Sequence, residues 1–269
     1  MKHITLCADD FALHPAVDTA VVALAQRGRL SATSCMTTSP RWPEAAQLLP
    51  PLRPALQVGL HFNLTEGHGC TAAPSLVQVL ARAYGGQLRP ALIAPILHSQ
   101  LDAFEQHLGT APDFIDGHQH VHQLPGVRTA LLQVLHARYG SHQPWVRSTL
   151  PVRLGPDKAT VLAVLGGWSL RRHLVRAGVR HHPAFAGVYG FDATTPAAYG
   201  AHMVQWLAQA TEGTLLMCHP ASTPVPGDAI GSQRAVEYAY LASPEFAALL
   251  QRLGVVLVQG ESLPQTPKS

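Results

Sequence analysis

Short, continuous apolar runs alternate with amphipathic stretches along almost the whole chain, and this alternation constrains the fold more than any other feature. Residues 2–8, 30–37, 57–64, 113–116, 144–149, 214–218 and 255–258 read as strands, with a further short one at 187–189. Between them, Pro15 to Gln26 puts Val17, Ala20, Val21 and Leu24 on one helical face. Pro125 to Tyr139 does the same with Val127, Leu131, Leu132 and Leu135. Strands without polar alternation belong to parallel sheets covered on both faces. The expected fold class is α/β, a single β/α barrel of seven or eight mostly parallel strands, as one domain over residues 1–269. A doubly wound open sheet is the alternative, and no Gly-x-Gly-x-x-Gly follows the first strand to support nucleotide binding.

Composition narrows the partners. Hydrophobic residues make up 47% of the 269 residues and charged ones 13%, enough for a core and too apolar for disorder. The net charge of +3 comes from scattered arginines with no basic run, which argues against nucleic acid. No apolar run approaches the roughly 20 residues of a membrane span. Cys7, Cys35, Cys70 and Cys218 are widely separated and form no Cys-x-x-Cys pair, as expected of free thiols in a reducing compartment. The first strand begins at the N-terminus and leaves no room for a signal peptide, so a cytoplasmic location is expected. Of the sixteen histidines, His3, His98, His107 and the His181-His182 pair read as incidental surface residues.

In a β/α barrel the reactive groups gather at the carboxyl ends of the strands. Here those ends carry Asp9-Asp10, His61, Asp116 with His118, Arg147 and His219, while the strand bodies carry almost no ionisable groups. Adjacent aspartates at the end of a buried strand repel unless a cation lies between them or one takes a proton. The plain alternative is a turn in which Asp10 caps the following helix. Two imidazoles and a carboxylate suit a borderline divalent cation and leave positions open for water and substrate. In His118-x-His120-x-His122 a period-two chain points all three rings the same way. Gly117 can also bend the chain so that one ligates and the others support it.

Four segments carry a resemblance: Ala8-Asp9-Asp10-Phe11, Gly59-Leu60-His61-Phe62, Asp116-Gly117-His118-Gln119-His120-Val121-His122 and Cys218-His219-Pro220. In this order they resemble the motifs of the YdjC-like (ChbG/HpnK) carbohydrate deacetylases, over most of the chain. The resemblance implies a distorted barrel similar to that of polysaccharide deacetylases. It also implies a metal-dependent removal of an N-acetyl group from an amino-sugar substrate. By that likeness Asp10, His61 and His118 hold one divalent metal ion, zinc or magnesium being favoured. Asp9 is then the general base and His219 the general acid. Ala12 stands where the family usually has Gly, and Gln119 where His is frequent; neither is an inferred ligand.

These roles are physically consistent. A divalent cation acidifies water and polarises an amide carbonyl, and an amine leaves only when protonated. Arg147 either orients Asp9, binds substrate or forms a surface salt bridge. His120, His122 and Asp116 are expected to bind substrate or to support the ligands. Trp42, Trp145, Trp168 and Trp206 include candidate sugar platforms, with core packing favoured for each. Residues 152–189 match no motif and are expected to contribute to substrate choice. The expected partner is a small N-acetylated carbohydrate, with homodimerisation left open. Two rival readings keep the same residues: an iron oxygenase triad, against which the β/α alternation argues, and a sugar-binding protein without activity.

Overall fold

The computed structural model describes residues 1–259, so residues 260–269 of the one-domain expectation lie outside the described residues. The strands are β1 (Lys2–Phe11), β2 (Ala32–Cys35), β3 (Gln57–Phe62), β4 (Phe114–Gly117), β5 (Trp145–Val146), β6 (Phe185–Ala186), β7 (Leu215–Cys218) and β8 (Val255–Leu257). All pair in parallel in the order β5-β4-β3-β2-β1-β7-β6, with β8 beside the first residues of β1. The two ends of this curled sheet meet through a single bridge, Pro151 to Phe185, and through a Val146 N–H donated to the Arg180 carbonyl. The sheet is therefore a distorted, curled half-barrel whose ends are only bridged, not paired strand to strand, at the β5–β6 seam.

Helices α1 (Pro15–Gln26), α2 (Trp42–Ala45), α3 (Leu76–Tyr84), α4 (Pro90–Leu108) and α5 (Val127–Tyr139) connect the first five strands. They are followed by α6 (Lys158–Leu162), α7 (Trp168–Ala177), α8 (Pro196–Gln209), α9 (Gly231–Leu241) and α10 (Pro244–Leu253). Proline opens α1, α4, α8 and α10 within their first two positions, where its missing N–H costs nothing. After α2 the chain continues only as two 3-10 turns, Ala46–Leu48 and Pro50–Leu52, because Pro50-Pro51 cannot extend an α-helix.

Period-two alternation sorts the strand residues into two cores. The larger lies between sheet and helices and includes Leu6, Ala8, Val58, Leu60, Ile115 and Val146. The smaller is built from strand residues alone, with Cys7, Ala32, Phe114, Trp145, Phe185, Leu215 and Met217 filling the barrel interior. Phe114 and Trp145 stack there with centroids 4.2 Å apart, and a side chain at Gly59 would meet the Phe114 ring at 2.5 Å.

Two expectations are corrected. The sixth strand is Phe185–Ala186 rather than 187–189, because Gly187 turns to φ +101 with no space for a Cβ against the Met217 carbonyl. His181 and His182 are buried, not surface residues. The His182 ring meets Trp145 edge-on at 4.5 Å, and its Nδ1 donates to the Gly213 carbonyl at 2.8 Å.

Candidate active site

One step of two residues along five neighbouring strands converts the interior core into a polar layer. Cys7 is followed by Asp9, Ala32 by Ser34, Gly59 by His61, Phe114 by Asp116 and Trp145 by Arg147. At roughly 3.3 Å per residue these side chains stand about 7 Å above the apolar floor, at the carboxyl end of the barrel. All five are buried, at 2% exposure or less.

Arg147 organises this layer. Its Nη1 and Nη2 donate to Asp9 Oδ2 and Oδ1, both at 2.6 Å, and Nη2 lies 2.5 Å from Asp116 Oδ2. It is neither a surface salt bridge nor a residue of the cavity wall, so of the three readings only the orienting one fits. Burial alone would raise the Asp9 carboxyl, but the guanidinium outweighs it and holds Asp9 well below the usual carboxylate range. Cys7, Asp9 and Asp116 form a second cluster with metal-like spacing, but the Arg147 guanidinium already serves as its cation.

Asp9 and Asp10 are consecutive, so a regular strand would turn them to opposite faces. The β1–β2 register shifts between Ala8 and Phe11, and Asp10 takes a left-handed φ of 67. This bulge brings both carboxylates to one cavity. Asp10 does not cap α1; His14 does, accepting from the Ala16 N–H at 3.1 Å.

Asp10 Oδ1 faces His118 Nδ1 at 2.9 Å and His61 Nε2 at 3.3 Å. One donor atom from each of Asp10, His61 and His118 lies within 4.8 Å of the others. Behind His61, Nδ1 donates to Asp116 Oδ1 at 2.6 Å and is 3.0 Å from Ser34 Oγ. This leaves Nε2 as the ring's lone-pair donor toward the cluster, the arrangement that carboxylate-backed metal histidines adopt. Three buried carboxylates (Asp9, Asp10, Asp116) oppose two buried guanidinium groups (Arg147, Arg234), an imbalance that favours a further cation. Burial works against a charged His61, yet Asp116, Asp10 and Asp9 raise it to about 10, so a proton is drawn to the same place. The donor set therefore fits one divalent metal ion.

The His118–His122 run is not extended. Gln119 and His120 both adopt positive φ, 50 and 60, coiling the chain so that His122 N comes within 2.9 Å of where a Gly117 Cβ would be. The three rings consequently diverge. His118 reaches Asp10, His120 lines the cavity, and His122 is buried with Nε2 donating to the Arg147 carbonyl at 3.0 Å. Asp116 lies beneath the wall rather than on it and supports His61.

His219 follows β7 and faces Asp9 across the opening, Nε2 to Oδ2 at 3.9 Å. Its backbone N–H donates to Glu237 Oε2 at 2.6 Å, and Phe191 packs edge-on against its ring. Glu237 is fully buried and also accepts from the Tyr189 hydroxyl at 2.5 Å. Arg234, one helical turn earlier on α9, donates to Asp10 Oδ2 at 2.7 Å. Sequence reading missed Ser34, Arg234, Glu237 and Tyr189. Period-two alternation in β2 could have found Ser34, but no local signal marks the charged pair on α9.

Asp9, Asp10, His61, His118 and His219 all line one cavity of about 770 Å³. Its outer wall takes Lys158, Leu162, Leu165 and Tyr189 from the segment that matched no motif. None of the four tryptophans lines it; Trp42 and Trp145 are core residues.

Residues 3–252 match the family described as YdjC-like protein. A human protein named carbohydrate deacetylase is 30% identical over 304 aligned residues, covering 94% of this chain and 88% of that protein. The chitooligosaccharide deacetylase of Yersinia enterocolitica is 28% identical, covering 94% of this chain and 96% of its own. A solved structure from Enterococcus faecalis V583, assigned to cellobiose-phosphate cleavage, is alike in fold with a TM-score of 0.72 at 19% identity, over 97% of this chain and 98% of that one. With nearly its whole length matched, the chain belongs to the YdjC-like protein family.

Proposed function

We propose that this protein is a carbohydrate deacetylase that hydrolyses the N-acetyl amide of an amino sugar, with chitooligosaccharides as the substrate class. The observation that carries the reading is the convergence of Asp9, Asp10, His61, His118 and His219, from four separate stretches of chain, on one cavity. The names of the full-length relatives support the same chemistry.

Asp10, His61 and His118 would hold the metal ion, and two imidazoles favour zinc over magnesium. When bound, the ion supplies Lewis acidity toward water and the amide carbonyl. Asp9, kept ionised by Arg147, accepts the proton of the attacking water on its cavity-facing edge. A carboxylate so stabilised is a weak base, which suits it to water that is already acidified. His219 Nε2, on the opposite side, delivers a proton to the departing sugar nitrogen. Glu237 fixes the His219 backbone from below. Tyr189 and Phe191 present the apolar edges that a sugar ring can rest on.

Acetate release from N,N′-diacetylchitobiose and longer oligomers, measured with and without a chelator, tests the reading. Release that chelator abolishes and added zinc restores is the expected result. No release from the panel by metal-loaded protein would refute it.

A further inference from the structure

The candidate cation site and the mouth of the cavity share one side chain. Arg234 is 2% exposed and holds two carboxylates, Nη2 donating to Asp10 Oδ2 and Nε to Asp228 Oδ2. Asp228 belongs to the loop 225–230, every residue of which lines the cavity. It is also the fastener of that loop. Its Oδ1 accepts from the Ile230 N–H at 3.0 Å, and its carbonyl accepts from the Gly231 N–H at 3.0 Å. At the other end, Asp10 stands on the β1 bulge at φ 67, where its direction needs an external hold. Arg234 occupies Oδ2 and leaves Oδ1 turned to His61 and His118.

We propose that Arg234 is a positioning residue that couples the loop 225–230 to the metal carboxylate Asp10. Saccharide in the cavity then tightens metal binding, and metal tightens saccharide by the same factor. The coupling rests on the assignment of Asp10, His61 and His118 as metal ligands. Its physical basis is the rigid guanidinium plane, which cannot follow a displaced Asp228 without changing its bond to Asp10. A shifted loop leaves a buried cation half-paired, so the loop position that satisfies Asp228 is the one that best aims Asp10.

The test uses Co²⁺ as the metal and N,N′-diacetylchitobiose as the saccharide, in full-length Asp9→Asn protein so that the sugar is not consumed. Co²⁺ affinity is read from visible absorption with and without saccharide. Saccharide is expected to tighten Co²⁺ by about fivefold or more. Adding Asp228→Asn is expected to weaken Co²⁺ by about 10-fold and to abolish the saccharide effect. Unchanged Co²⁺ affinity in Asp228→Asn, or a saccharide effect that persists there, would overturn the coupling while leaving the deacetylase reading intact. Absence of Co²⁺ binding in the parent protein would overturn the ligand assignment itself. If Asp228→Asn does not fold, Arg234→Lys keeps the charge beside Asp10 but cannot hold both carboxylates, and carries the same expectations.

Discussion

Arg147 grips Asp9 with both terminal nitrogens, each 2.6 Å from a different carboxylate oxygen, and neither side chain is more than 2% exposed. Such a pair contributes little net stability compared with apolar packing, but losing one member strands the other. Arg147→Met should therefore destabilise the fold by about 3–5 kcal/mol in urea denaturation at neutral pH. The sign of the pH dependence checks the cause. Asp9 is depressed in the folded protein, so its contribution is full above the ordinary carboxylate range and is lost progressively as pH falls from that range toward the lower folded value. The stability gap between wild type and Arg147→Met should accordingly narrow on acidification.

Asp9→Asn and His219→Ala should separate by substrate. Loss of the base is expected to lower kcat by about 10²–10⁴ on every substrate, with metal still bound. Loss of the acid matters only where the leaving group needs a proton. His219→Ala should thus be severely impaired on acetylated amino sugars and much less so on an aryl acetate ester. Equal impairment on both would remove His219 from that role.

Asp116 touches no cavity wall, yet it fixes the His61 tautomer through a 2.6 Å bond. Asp116→Asn keeps the shape and removes the charge. Metal affinity should fall by about 10–100-fold in a zinc or cobalt titration. Chelator treatment of wild type should abolish acetate release, and excess zinc should restore both proteins to measurable activity.

Buried His182 predicts an acid-sensitive fold independent of the cavity. Burial lowers this imidazole to about 3 from 6.5, outweighing its bond to the Gly213 carbonyl. The unfolded chain therefore binds more protons between those values, and stability is lost as pH falls from 6.5 toward 3. The slope for one such group is at most about 1.4 kcal/mol per pH unit. His182→Asn retains a donor for Gly213 and cannot titrate there. Its melting temperature should vary less between pH 6.5 and 4 than that of wild type.

The sequence by itself determined the strand–helix alternation and the rim of ionisable groups at the strand ends. Both are local: apolar runs and their periods set the elements, and parallel connection sends every strand end to the same side. Helix α1 could be read to the residue because Pro15 marks its start. The motifs around Asp9, His61, His118 and His219 were legible for the same reason, each being a short stretch at one strand end.

Only the tertiary structure decided which histidine of the 118–122 run turns toward Asp10, because that depends on two left-handed residues that spacing does not encode. It likewise turned Arg147 inward and drew Arg234 and Glu237 from α9 under the site. On a helix read in isolation, charged residues belong to the solvent face. They point inward here because buried carboxylates and an unsatisfied backbone N–H, contributed by strands more than 200 residues away for Asp10 and 18 for His219, cost too much to leave unpaired.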